Sequence, residues 1–280
     1  MKRFLKFVIA GAVIFGIGIA IMVITLGVNG WNIDDDYEMM SYECSEQNSV
    51  LDLEFSAGTL DIDYYDGDTI KVEYPQNKNL TANITEKDGT LTYETISPRK
   101  WWNWNWLRNI PTAKILIPKG DVIDVQLDID AGTVKIADGA YGNFEVEMNA
   151  GTLDVGNIVC DKLLVEMNAG TIGIKSASSS KDVLMDVSAG TIKIGSLTCP
   201  SFVGDVNAGT ANIERLQASS TVVDISAGTM KLCMVGAKSE YNVVVDKSAG
   251  SCNISSQKGS KNLQILAEIS AGTLVVKFTS

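Results

Sequence analysis

Asn149-Ala150-Gly151-Thr152-Leu153-Asp154-Val155 is followed nineteen residues later by Asn168-Ala169-Gly170-Thr171-Ile172-Gly173-Ile174. The shared core, Ala-Gly-Thr or once Ala-Gly-Ser, occurs nine times, with its glycines at Gly58, Gly132, Gly151, Gly170, Gly190, Gly209, Gly228, Gly250 and Gly272. From Gly132 onward the intervals are 19, 19, 20, 19, 19, 22 and 22 residues, a self-similarity that marks a repeat architecture.

The flanks repeat as well. Apolar residues stand two and four places after the glycine, as in Val134 and Ile136 or Leu153 and Val155. Others stand three and five places before it, as in Ile129 and Leu127 or Met148 and Val146. The residue between the later pair is usually polar, as at Lys135, Asp154 and Lys193. Such period-two alternation predicts strands with one buried face on either side of a bend. The bend itself has a small polar residue before Ala-Gly, for example Asp130, Asn149 or Ser188, and such side chains bond their own backbone in turns. A unit of this size cannot bury its own face, but stacked units can. The pattern therefore predicts an all-β fold, a parallel β-solenoid with coils of roughly 20 residues, rungs about 4.8 Å apart and a regular part roughly 35–40 Å long. Ice binding is disfavoured because the residue two after the threonine varies. The calcium-binding nonapeptide is absent.

The chain has 280 residues, a net charge of −11 and no histidine. The charge disfavours a nucleic-acid partner, and the missing histidine removes Ser-His and Cys-His catalysis and His-based metal sites. Residues 7–28 carry no charge, are preceded by Lys2, Arg3 and Lys6, and are followed by Asp34, Asp35, Asp36 and Glu38. That stretch is long enough to cross a bilayer, and the charge asymmetry predicts an uncleaved single-pass anchor. The expected organisation is a cytoplasmic tip at 1–6, a transmembrane helix at 7–28 and a linker at 29–44. An N-terminal β region at 45–125 and regular repeats at 126–280 would follow, outside the cytoplasm of a bacterial cell.

A 74-residue gap separates Gly58 from Gly132. Within 98–111 it carries Trp101, Trp102, Trp104 and Trp106 among Arg99, Lys100 and Arg108, while Trp31 directly follows the apolar stretch. Tryptophan and basic residues suit a membrane interface, and tryptophan rows also suit sugar rings, so these eight residues are the candidate membrane or ligand contacts. A cap over the end of the repeat is the third reading.

Five cysteines cannot all pair. Cys160 and Cys199 fall two coils apart, about 9–10 Å by strand spacing, too far for a disulfide. Buried free thiols are expected, with no metal or cofactor. Asp61, Asp63, Asp66 and Asp68 fit no EF-hand spacing. The outward positions show no gathering of Asp, Lys and Arg of the kind an acidic-polysaccharide enzyme uses, so no catalytic residue is named. The last coil, ending Leu274-Val275-Val276-Lys277-Phe278, is followed by no cap and reads as an apolar edge.

The repeated polar-Ala-Gly-Thr bends, with Lys114-Ile115-Leu116-Ile117-Pro118-Lys119-Gly120 ahead of the first regular coil, resemble the DUF4097 β-strand-repeat family. Its members are known mainly as candidate adhesins. The resemblance covers roughly 45–280 and implies a β-helix-like ectodomain, often membrane-anchored, with no catalytic residues to transfer. The expected function is a non-enzymatic surface adhesin or binding scaffold with an envelope glycan or protein partner. The alternative is an envelope-stress or regulatory accessory protein acting at the membrane surface.

Overall fold

The computed structural model describes residues 37–45, 47–77, 79–96 and 110–279. These residues belong to one compact unit. In chain order the strands are β1 (Glu38–Glu43), β2 (Val50–Phe55), β3 (Thr59–Tyr65), β4 (Lys71–Gln76), β5 (Thr81–Lys87), β6 (Thr90–Ile96) and β7 (Ala113–Pro118). There follow β8 (Ile123–Ile129), β9 (Thr133–Ile136), β10 (Gly139–Met148), β11 (Thr152–Cys160), β12 (Lys162–Met167), β13 (Thr171–Ser179) and β14 (Val183–Val187). The last are β15 (Thr191–Val206), β16 (Thr210–Ile225), β17 (Thr229–Val235), β18 (Tyr241–Lys247), β19 (Ser251–Cys252), β20 (Leu263–Ile269) and β21 (Thr273–Thr279).

Each repeat meets the next in register, so Leu153 lies beside Val134 and Ile172, and Val146 beside Leu127 and Val165. Alternate residues point inward, and Leu127, Val134, Met148, Leu153, Val165 and Ile172 are all buried. The corner glycines are required by contact. At Gly151, with φ +124°, an added Cβ would stand 2.4 Å from the Gly132 carbonyl oxygen. That carbonyl accepts the Thr152 N–H at 2.9 Å, so glycine stacks on glycine because nothing larger fits.

The open parallel solenoid expected from the repeat is corrected. The pairings β10–β11, β11–β13, β13–β15, β15–β14, β14–β12 and β12–β10 close a ring of six strands, a barrel within one continuous sheet. The reason is that strands continue around corners: β15 runs for 16 residues and pairs with β13 through one part and β14 through another. Alternation of apolar residues cannot distinguish a chain that breaks at a corner from one that bends through it.

Winding order departs from the expectation too. β2 and β3 sit between β6 and β7 on one side and β8 and β9 on the other. At the far end β20 and β21 stack directly on β16 and β17, and β18 and β19 lie outside them. The last coil is therefore no open edge. β19 pairs with the start of β21, and the Asn253 side chain continues the ladder, accepting from Val276 N–H at 2.7 Å and donating to Val276 O at 2.8 Å.

The two 22-residue intervals accommodate this detour. The backbone of Gln257 exchanges two hydrogen bonds of 2.9 Å with Val243, and Ser256 Oγ accepts from Val245 N–H, so the outer edge of β18 is covered. The other end is finished by antiparallel strands: β4 on β7, β1 on β4, and β5 on β6 through an Asp88-Gly89 turn with both φ positive.

The membrane expectations are corrected as well. Residues 7–28 lie outside the described residues, and among the described residues no helix is long and apolar enough to cross a membrane. The single-pass anchor, the bilayer partner and the sidedness inferred from the flanking charges are therefore withdrawn.

Candidate functional site

The strand leading into each corner places one side chain outward, four residues before the glycine. Register lines these up. Glu54 lies beside Asp128, then come Glu147 and Glu166, then Asp186 and Asp205. The file continues through Asp224 and Glu268 to Asp246, and Glu94 extends it at the other end beside Glu54. Ten consecutive strands thus present a carboxylate at one position. This is a file of carboxylates alone, not the mixture of Asp, Lys and Arg that an acidic-polysaccharide enzyme uses; its signal in the sequence is the Gly−4 position, acidic in all nine repeats.

Neighbouring strands stand about 4.8 Å apart, and unit charges near that distance repel by about 1 kcal/mol even in bulk water. No lysine or arginine among the described residues forms an ion pair with any of the ten; the ion pairs there, such as Lys162–Glu145 and Lys193–Glu214, lie elsewhere. Burial pushes the Glu54 carboxyl above its ordinary value, and the charges of Glu94, Asp52, Asp128 and Asp130 add to this. Burial does the same to Asp128, helped by Asp130 and Glu147, and to Asp205, helped by Asp186 and Asp224. Asp205 Oδ1 is enclosed with no hydrogen-bond partner.

Two residues earlier on each strand runs a second outward file. It is polar at Asp52, Gln126 and Glu145, then apolar at Leu164, Leu184, Val203, Val222, Leu266 and Val244. Val203, Leu266 and Val244 are 36%, 39% and 54% exposed, so three of the most exposed large apolar side chains share one line. At the polar end, Asp52, Asp128, Glu145, Glu147 and Glu166 line a shallow groove.

Corner side chains bond to one another along the stack. Asn149 Nδ2 donates to Asp130 Oδ1 at 3.1 Å, and Asn168 Nδ2 to Asn149 Oδ1 at 2.9 Å. Asn157 donates to Asp138 from both its backbone and its amide at 2.7 Å, which holds that carboxyl below the usual range. These ladders satisfy one another and leave little for a ligand.

The other sequence candidates fall elsewhere. Trp31, Arg99, Lys100, Trp101, Trp102, Trp104, Trp106 and Arg108 all lie outside the described residues. The nine glycines sit at the corners, and only Gly58, Gly132, Gly151, Gly170 and Gly190 among them have positive φ. All five cysteines are free. Cys160 pairs in register with Ser179, one rung short of Cys199, and burial pushes the two thiols up to about 11 and about 12. Such thiols are inert as nucleophiles at neutral pH. Among the described residues no group of three or more Cys, Asp or Glu is placed to hold a metal ion, so the carboxylates form a line rather than a cage.

Among solved structures, a candidate adhesin from Bacteroides fragilis NCTC 9343 is 16% identical. The match covers 88% of this chain and 100% of that one with a TM-score of 0.56, which shows a shared fold. Candidate adhesins from Parabacteroides distasonis ATCC 8503 and Parabacteroides merdae ATCC 43184 match at 12% and 10% identity. The first match covers 86% of this chain and 98% of the other with a TM-score of 0.48; the second covers 88% and 98% with 0.47. No curated protein matches significantly. The sequence pattern of the toastrack family DUF4097 matches residues 48–280, which takes in every corner glycine and all but the first of the strands, and the chain belongs to that family.

Proposed function

We propose that the protein is a non-enzymatic binding scaffold, adhesin-like in function, whose working surface is the outward sheet face with the acidic file. The observation that carries this reading is the unbroken run of ten carboxylates in register without an ion-pair partner among the described residues. A file that repels itself is disfavoured by folding alone, so its retention across every repeat fits a surface complemented from outside. The adhesin vocabulary of the relatives agrees with a scaffold that presents repeated side chains.

The test compares the full chain with a Glu147→Lys/Glu166→Lys/Asp186→Lys variant for retention on polylysine and on envelope preparations. Loss of both with an unchanged circular-dichroism spectrum supports the reading; undiminished retention by the variant overturns it. Residues 99–108 stand as a separate proposal, a sugar-stacking contact, supported by the alternation of Trp102, Trp104 and Trp106. Deleting them and measuring glycan binding tests it. The division into 45–125 and 126–280 is likewise kept as a proposal.

A further inference from the structure

The acidic and apolar files run side by side, and together they specify more than charge. Over six strands the pairs are Leu164 with Glu166, Leu184 with Asp186, Val203 with Asp205, Val222 with Asp224, Leu266 with Glu268, and Val244 with Asp246. Each pair is two residues apart on one strand. The files are about 6.6 Å apart and about 24 Å long from strand geometry. The strands between them are all parallel, and a parallel sheet is usually covered on both faces. Here the inward face is packed, while Val203, Leu266 and Val244 stay exposed on the outer face.

We propose that this face docks a basic amphipathic α-helix of a partner protein. The helix lies across the strands, with its lysine or arginine stripe on the carboxylates and its apolar stripe on the neighbouring file. This rests on the face being the binding surface, as argued above. Pitch selects a helix over an extended segment. Helical side chains on one stripe recur about every 5.4 Å, close to the strand spacing of about 4.8 Å, and long cationic side chains absorb the difference. An extended segment brings same-side residues round about every 6.6 Å and falls out of phase by the second strand. Charge complementarity sets the sign of the helix, and the apolar file sets its amphipathic orientation. About 16 helical residues span the six strands.

The experiment titrates the full chain by calorimetry with a synthetic helical peptide of that length carrying adjacent lysine and leucine stripes. A peptide of the same composition with the stripes scrambled, and spermine, serve as controls. The expected result is binding at least about tenfold tighter than the scrambled peptide and weakened by salt. Asp186→Lys/Asp205→Lys/Asp224→Lys should abolish it, and Val244→Ser/Leu266→Ser should weaken it, with the unfolding midpoint of each variant confirming the fold. Equal binding of the striped and scrambled peptides, or full competition by spermine, overturns the helix while leaving the acidic surface as a binding face. Failure of all three cationic probes overturns both readings.

Discussion

The two outward files beside the corner glycine differ in how their charges are balanced. Four residues before it the side chain is acidic in every repeat. Three residues after it the file reads Asp61, Lys135, Asp154, Gly173, Lys193, Asn212, Lys231 and Val275, each beside the next in register. There, Asp61 and Lys135, then Lys135 and Asp154, are opposite charges on neighbouring strands, and neutral residues dilute the rest. Both files rest on the same backbone and the same repeat, so the backbone does not impose the difference. One file mixes both signs of charge on neighbouring strands, although no ion pair joins Asp61, Lys135 and Asp154 among the described residues. The other carries carboxylates alone, which is why it is read as the face a partner completes.

The comparison depends on register, and the most damaging change is one that breaks it. Gly151→Ala places a Cβ against the Gly132 carbonyl oxygen at a positive φ. We expect a loss of about 3 kcal/mol or more in denaturant unfolding, from overpacking and backbone strain together. A loss below about 1 kcal/mol would mean that the corners slip freely and that the files are not held in line.

The next test separates the faces directly. Asp186→Asn/Asp205→Asn/Asp224→Asn removes repulsion along the acidic file and should stabilise the fold by about 1–2 kcal/mol. Destabilisation would show that those carboxylates are already complemented.

Acid should reveal the same asymmetry. Glu54, Asp128 and Asp205 have raised folded-state pKa values, above their ordinary 4.5 for Glu and 3.8 for Asp. The folded state therefore holds protons that the unfolded state has lost. Their contribution to stability is fully present below the ordinary values and is lost as pH rises through the raised ones. Asp138 acts in the opposite sense: its contribution is present above 3.8 and is lost as pH falls through its lowered value. Denaturant midpoints should rise as pH is lowered from neutral toward the range just above 4.5. A monotonic fall over that interval would remove the acidic file as a source of strain.

The smallest effect belongs to the file of mixed sign. Asp154→Asn deletes one carboxylate beside Lys135 and should cost only a few tenths of a kcal/mol. Added salt should shrink this loss and the gain on the acidic face alike.

Much of the site was readable without coordinates. Position Gly−4 is Glu54, Asp128, Glu147, Glu166, Asp186, Asp205, Asp224, Asp246 and Glu268 in turn. It stands between the inward residues at Gly−3 and Gly−5, so the buried apolar pattern that defines the strands does not mark it. Glu94 was not readable in this way, since it lies in the irregular stretch and joins the file only because β6 pairs with β2. The cap at Ser256 and Gln257 was hidden too. A sequence lists coils in chain order, and that order places the cap between two repeats rather than at an end.

The amino-acid sequence alone determined the period, the inward and outward alternation, the glycine corners and the acidity of one outward position. Those are local: each follows from the pleat of a strand and from the lack of space for a Cβ where corners stack. The tertiary structure alone decided that strands bend through corners and close a ring of six. It also decided that the last coil lies inside the one before it, and that the acidic and apolar files lie on one face of a parallel sheet. Those depend on which edges pair across tens of residues. Many stackings of equivalent repeats would bury the same apolar side chains, so the hydrophobic pattern cannot select among them; the pairing of particular edges and the segments that cover the ends do.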